Sequence, residues 1–580
     1  MKYTNERNIL ILIALMKKHN VRKIVISPGA MNVTFVGSVQ NDDYFQIYSC
    51  VDERSACYMA CGLAEESGEP VALSCTGATS SRNYLPGLTE AYYRKLPILA
   101  ITSTLHYGYV GQNIPQILDR TVQLNDTVKY SVQIPSINNS MDDWAVTVNV
   151  NKALLELKHN GCGPVHINLG TSYSSDYSVM ELPNVRMIQR YNQMDSLPTI
   201  ECSNVAIFSG AHSKWSEEMT DIVDQFCEKY NAVVLCDRTS NYFGKYKIMA
   251  NIIFDQESYS SSFNSFDLLI HIGNISGAYM PINAKDVWRV NPDGEIRDTF
   301  KKLTNVFEME EICFFEKYVE KKKTNKINTR LYNDLNNEYK RIVEKLNNVE
   351  LPFSNLWSAS KLIKKLSEES ILHLAILNSL RAWNYFDTDK KIYGYSNTGG
   401  FGIDGILSTA IGASFVNPKK NIYCVIGDLA FFYDMNSLGN ININSNLRIL
   451  LVNNGCGTEF HNYSHSAQVF GNKVEKYIAA DGHFGNKSPN LVKNYVESLG
   501  YEYISATNKV EFEDNIDFFV SNEIYSKPLV FEIFTNSDDE SEALKIVRNC
   551  EKSITGAITK RMKDSLNNDI KNKIKKIIGK

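Results

Sequence analysis

The sequence is 580 residues long and contains no apolar run near the roughly 18 residues that cross a bilayer, so no membrane span is expected. The middle stretch, 184–345, has no GxGxxG, which removes the usual dinucleotide fingerprint there. It has no excess of either charge: 61 basic and 65 acidic residues give a net charge of −4, which argues against a general nucleic-acid binder. Twelve cysteines are present without paired CxxC motifs or the density of a secreted scaffold, and Cys57 and Cys61, one turn apart on an expected helix, read as buried thiols. No signal peptide fits. Ile9 to Met16 is apolar, but Glu6 and Arg7 precede it and Lys17 and Lys18 follow, so the stretch reads as an amphipathic first helix. A reducing cytoplasm is the expected compartment.

What is present is alternation. Strand-like runs such as Lys23 to Ser27, Phe45 to Val51 and Val71 to Ser74 are followed by turns and helices, and the pattern recurs in three blocks. An α/β fold of three doubly wound parallel-sheet domains is expected, with ligands at the carboxyl ends of strands. The blocks are 1–183, 184–345 and 350–545. Lys317 to Asn348 reads as a solvated helical linker, and 546–580 as a Lys-rich helical tail with Leu566, Ile570, Ile574, Ile577 and Ile578 on one stripe.

The stretch Val425 to Gly457 carries the clearest chemistry. An apolar strand turns at Gly427-Asp428 into a helical pattern, and a second strand, Leu447 to Val452, ends at Asn453-Asn454. A carboxylate at one strand end and an amide at the next suit Mg2+, which takes six oxygen ligands, holding a diphosphate. The helix after Asp428 would point its positive end at phosphate. A helix cap and a turn are the plainer reading of the same residues.

Gly427-Asp428 followed by Asn453-Asn454 is similar to the GDG…NN motif of thiamine diphosphate (ThDP) enzymes, with Leu429 at the third position. ISPG, DERSACYMACGLAEESGEPVALSCTG, GIDGILSTAIG and DLAFFYDMNSL most resemble the menaquinone-pathway SEPHCHC synthases of that superfamily. Acetolactate synthases and 2-oxo acid decarboxylases are more distantly similar. The likeness runs through nearly the whole chain. It implies a pyrimidine-binding first block, a central block, and a third block binding diphosphate and Mg2+ through Asp428, Asn454 and the Cys456 carbonyl.

The resemblance further implies that Gly427, Leu429 and Gly457 border the cofactor. Gly402 and Ile403 would shape it, Ile403 as the bulky residue that bends it. Thr76, Gly77 and Asn83 would line it. Glu53 would face the aminopyrimidine nitrogen of a cofactor held mainly by a neighbouring subunit, in a homodimer or dimer of dimers. Burial there would raise its pKa and let it support loss of the thiazolium C2 proton. Gln116 stands where relatives place an active-site glutamine, with Gln112 as the alternative.

The substrate side departs from the relatives. Their arginine after SPG is Met31 here, that after Ser396-Asn397 is Thr398, and that after Asn378-Ser379 is Trp383, with Arg381 two positions early. A basic position after Ile101-Thr102 is also lost, and His106 follows a few residues later. Neither Met nor Thr replaces a guanidinium that grips a carboxylate. Glu459, His461 and His465 follow the metal loop instead, either as acid–base or hydroxyl-binding groups or as surface residues. The expected activity is a carboligase that decarboxylates a 2-oxo acid and passes its acyl unit to an acceptor, such as a sugar-like compound. The alternatives are SEPHCHC synthesis from isochorismate and 2-oxoglutarate, an acetolactate synthase-like reaction, or an idle ThDP-fold scaffold.

Overall fold

The computed structural model describes residues 2–560 apart from 264, 279–280, 323–326, 484–487, 554–555, 557 and 559. The strands form three parallel sheets interleaved with helices, as the alternation predicts. The chain divides into two compact units, residues 1–196 with 293–308, and residues 197–292 with 309–580.

The first unit is built on β1 (Lys23–Ile26), β2 (Gln46–Ser49), β3 (Val71–Cys75), β4 (Ile98–Thr104), β5 (Tyr130–Ile134) and β6 (Val165–Gly170). They lie in the order β2-β1-β3-β4-β6-β5, all parallel. β3, β4 and β6 are buried along their whole length, as befits central parallel strands covered on both faces, whereas β2 is an exposed edge. The helix Arg7–Lys18 departs from the amphipathic expectation. Every residue from Asn8 to Met16 is buried, because Ile9 to Met16 is apolar all round and packs into the core of this unit.

Of the middle strands, β7 (Gln189–Asn192) belongs to the first unit. β8 (Val205–Ser209), β9 (Ala232–Cys236), β10 (Lys247–Met249), β11 (Ser265–Ile272) and β12 (Asn283–Val290) belong to the second, in the order β10-β9-β8-β11-β12. β13 (Leu303–Glu308) is again in the first unit and pairs in parallel with β7. The expected linker is no linker. Two helices, Glu311–Lys321 and Arg330–Asn348, occupy it, burying Phe314, Phe315 and Tyr318 in one and Leu331, Leu335, Ile342 and Leu346 in the other. Dense charge hid an apolar stripe at helical spacing.

The last sheet comprises β14 (Ile371–Leu374), β15 (Tyr393–Tyr395), β16 (Ile422–Gly427), β17 (Leu447–Asn453), β18 (Glu502–Ala506) and β19 (Leu529–Phe534). Their order is β15-β14-β16-β17-β19-β18, again wholly parallel. The apolar stripe from Leu566 to Ile578 lies outside the described residues. Among those described, no helix is long and apolar enough to cross a membrane.

Candidate active site

In the second unit the carboxyl edge of the last sheet gathers the candidate metal and cofactor residues. β16 delivers Asp428 and its neighbour β17 delivers Asn454, so pairing of the two strands sets the two side chains at one edge. Asp428 is buried, and its Oδ1 accepts from Leu429 N at 2.7 Å and its Oδ2 from Gly455 N at 2.5 Å. Burial pushes its carboxyl up to about 6, against the pull of those amides. Asn454 Oδ1 is buried and has no hydrogen-bond partner among the described residues. A desolvated carboxylate without a cation beside an orphaned amide oxygen is the arrangement a hard cation completes. The Cys456 carbonyl accepts from Thr458 N at 3.0 Å and keeps a second lone pair for a metal. Its thiol turns away to Ser537 Oγ at 3.1 Å, so it is no ligand in this geometry.

The helix at Asp428 is shorter than expected. Asp428–Asp434 is seven residues and passes into a 3₁₀ turn, Met435–Gly439, which limits its dipole. Gly427 opens onto free space, with nothing within 4 Å of where a Cβ would stand. Leu429 is half-buried at the same turn. Ile403 is half-buried and packs against the sheet's core while leaving part of its side chain open, so its place in the core does not exclude the cofactor-shaping reading. Gly402 lies beside it, backed by the Asp404 side chain. Gly457 is packed against the Ala479 carbonyl and the Phe460 ring.

Glu459 and His461 each face a charged side chain. Glu459 is gripped by Arg381, Nη1 to Oε2 at 2.7 Å and Nη2 to Oε1 at 3.0 Å. Burial works against the Arg381 charge, but the Glu459 carboxylate holds its pKa above the ordinary value. His461 Nε2 faces Glu475 at 3.5 Å, and His465 Nδ1 accepts from Ala467 N at 3.0 Å, which makes it a local cap. Behind the metal residues, Glu540 is buried and accepts from Asn355 N at 2.9 Å and Thr535 Oγ1 at 2.8 Å, and burial raises it to about 7. Nothing in the sequence pattern singles it out. It reads as a helix's acidic first turn, and only the fold buries it.

In the first unit, Glu53 is the first residue of the helix Glu53–Ser67, where the Asp52 side chain caps by accepting from Ser55 N at 3.0 Å. Glu53 is half-buried in the single chain, next to exposed Ile47, Tyr48, Val51, Tyr58 and Met59. Thr76 and Gly77 follow β3 on the same sheet edge. Thr76 Oγ1 accepts from Met31 N at 3.1 Å, and a Cβ on Gly77 would come within 2.9 Å of the Gln116 carbonyl oxygen and 3.2 Å of Met31 Sδ. Met31, Thr76, Gly77 and Gln116 therefore form one cluster. The Gln116 and Gln112 side chains are both exposed, as is Asn83 at the end of the short helix Thr79–Asn83.

Sequence reasoning missed a member of this cluster. Arg120 is buried, 1% exposed, and its Nη2 donates to Ser103 O at 3.1 Å and Asn168 Oδ1 at 2.8 Å, while Nε and Nη1 have no partner among the described residues. Burial lowers its pKa to about 10. In the sequence it is an Asp-Arg pair in an irregular stretch, which reads as surface charge.

Residues 10–124 match the model described as "Thiamine pyrophosphate enzyme, N-terminal TPP binding domain", and residues 378–533 the corresponding C-terminal TPP binding domain. Curated relatives named 2-succinyl-5-enolpyruvyl-6-hydroxy-3-cyclohexene-1-carboxylate synthase are similar over most of the chain. That of Bacteroides fragilis is 31% identical over 94% of this chain and 98% of its own. That of Bacteroides thetaiotaomicron is 30% identical over the same shares. The Flavobacterium johnsoniae protein is 26% identical over 92% of this chain and 97% of its own.

Proposed function

The chain belongs to the thiamine diphosphate-dependent enzymes, and from that membership we propose that it is a Mg2+-dependent carboligase acting on a 2-oxo acid. The observation that carries the metal is the buried Asp428 carboxyl beside the orphaned Asn454 Oδ1. Asp428, Asn454 and the Cys456 carbonyl hold Mg2+, and Gly427 leaves room for the diphosphate. Bound ThDP supplies the electron sink for decarboxylation. Ile403 supports the ring system from the core side. Thr76, Gly77 and Asn83 border the space on the first unit, and the glutamine at 116 or 112 reaches toward the reacting groups.

Glu53 holds the proton that the cofactor's aminopyrimidine exchanges. A second copy of the chain covers the exposed edge strand β2 and the Tyr58–Met59 face, which desolvates Glu53 and raises its pKa there. The protein is thus a homodimer or a dimer of dimers with sites at the subunit interface. It works in the cytoplasm, where its twelve unpaired cysteines stay reduced.

The acceptor is hydroxylated and sugar-like. Support comes from the loss of cations at the substrate side: Met31, Thr398 and Trp383 are all buried neutral side chains. The test is carbon dioxide release from a panel of 2-oxo acids by purified protein with ThDP and Mg2+, followed by addition of aldehyde and ketose acceptors. Release from none of the donors would sink the proposal. A second reading, synthesis of the product for which the relatives are named, is favoured by identity across nearly the whole chain. Product formation from isochorismate and 2-oxoglutarate would establish it.

A further inference from the structure

β14 and β17 flank β16, so the segments that follow them bracket the strand end that carries Asp428. After β14 the chain turns through Leu377, at φ 64°, into the short helix Asn378–Trp383. After β17 it passes Asn454 and enters the 3₁₀ turn Thr458–His461. The two segments meet in one closed polar cluster. Arg381 grips Glu459 through both guanidinium Nη atoms and donates from Nη1 to Asn378 Oδ1 at 2.8 Å. Asn462 Nδ2 donates to the same Asn378 oxygen at 3.2 Å and to Glu459 Oε2 at 3.1 Å. The pair is not entombed: the Arg381 and Glu459 side chains keep 30% and 18% of their exposure.

A guanidinium fork is the side chain that recognises a carboxylate in two-point fashion. Here an internal carboxylate already fills that fork. An incoming ligand with a free carboxylate at this end meets an ion pair of no net charge whose guanidinium donors are taken, and it loses its own hydration without a cation in return. Thr398 and Trp383, on the neighbouring loop and the same short helix, add no charge to offset that desolvation. An uncharged tail meets only the amides of Asn378 and Asn462. We propose that the Arg381–Glu459 pair is a donor-specificity element, which admits a 2-oxo acid with an uncharged tail and rejects one with a second carboxylate.

The inference rests on the proposed function in taking this edge as the donor's binding place, so its test reads binding and not turnover. Glutarate and butyrate, a dicarboxylate and a monocarboxylate of similar size, are titrated calorimetrically into the full-length protein in the presence of ThDP and Mg2+. Wild type should bind butyrate more tightly than glutarate. Glu459→Gln, which frees the fork, should tighten glutarate by about tenfold or more and leave butyrate little changed. The double variant E459Q/R381Q, which removes both charges, should lose that gain. Equal glutarate affinity in wild type and E459Q would overturn the proposal, and so would a wild type that prefers glutarate. The wild-type comparison stands even where a variant fails to fold. Decarboxylation of pyruvate is measured separately and bears on the function alone.

Discussion

The first sheet, β2-β1-β3-β4-β6-β5, and the last, β15-β14-β16-β17-β19-β18, run in the same order when each is counted from its own first strand. Their carboxyl edges carry opposite chemistry. In the last sheet, the ends of the third and fourth strands present a buried carboxylate and an orphaned amide oxygen, Asp428 and Asn454. In the first, the third strand ends at the Thr76-Gly77 turn, and beneath it lies Arg120, a buried guanidinium with two unpartnered nitrogens. One topology thus provides adjacent strand ends twice. The side chains placed there decide that one edge presents oxygen acceptors and the other contains a cation.

The contrast is broken most severely at Asp428. Asp428→Ala removes the buried carboxylate beside the Asn454 oxygen, and the expected result is loss of detectable Mg2+ and ThDP binding by calorimetry, with the fold retained by circular dichroism. Glu53→Gln, on the other edge, should leave cofactor binding near wild type but lower 2-oxo acid turnover by about 10²–10⁴, the usual weight of a positioned acid–base group. Unchanged turnover would remove Glu53 from the chemistry.

The two sheets should also answer pH with opposite signs. His166 on β6 is buried and bonded at both nitrogens, to Thr102 Oγ1 at 2.8 Å and Ser131 Oγ at 2.8 Å. Burial, aided by the charges of Arg120 and Arg82, pushes its pKa from 6.5 down to about 3. Between those values the unfolded chain binds the extra proton. The stability from neutral His166 is therefore complete above about pH 6.5 and is lost as pH falls toward 3, by roughly 4–5 kcal/mol at most. Asp428 without metal is raised from 3.8 to about 6, so the folded chain holds the extra proton. Its contribution is complete below about pH 4 and is lost as pH rises through 6, by roughly 3 kcal/mol at most. In thermal melts from pH 4 to 8 in EDTA, stability should fall as pH rises through the Asp428 and Glu540 values, and Mg2+ should remove the Asp428 share because the metal takes the deprotonated form. Asp428→Asn should make the limb in EDTA smaller, leaving the Glu540 share and the acid-side loss from His166 in place.

The smallest effects sharpen the comparison at two glycines. Gly77→Ala meets the Gln116 backbone at 2.9 Å and should cost about 1–3 kcal/mol of stability in chemical denaturation. Gly427→Ala meets nothing within 4 Å and should leave the apo protein's melting temperature nearly unchanged, while weakening ThDP binding by about tenfold. A Gly427→Ala that binds ThDP normally would show that the open space there is not the cofactor's.

Much of the fold was legible because central parallel strands are continuous apolar runs. Ile422–Gly427, Leu447–Asn453 and Leu529–Phe534 stand within a residue or so of their expected places at one or both ends. The short edge strands Tyr130–Ile134, Tyr393–Tyr395 and Glu502–Ala506 were not, since only a neighbour's pairing makes such mixed stretches into strands. The helix Arg330–Asn348 was expected as a helix, but its buried face was not, because its charge outnumbers its apolar stripe.

The same division runs through the site. The sequence by itself determined the three α/β blocks, the family, and Asp428 and Asn454 at successive strand ends, because strand–turn–helix patterning and a short motif are local properties of the chain. Three features belong to the tertiary structure alone: the Arg381–Glu459 fork, the burial of Glu540, and Arg120 beneath Gly77. Each depends on residues 17 to 185 positions apart meeting where water is excluded, and burial and pairing at that range are set by the sheet's strand order.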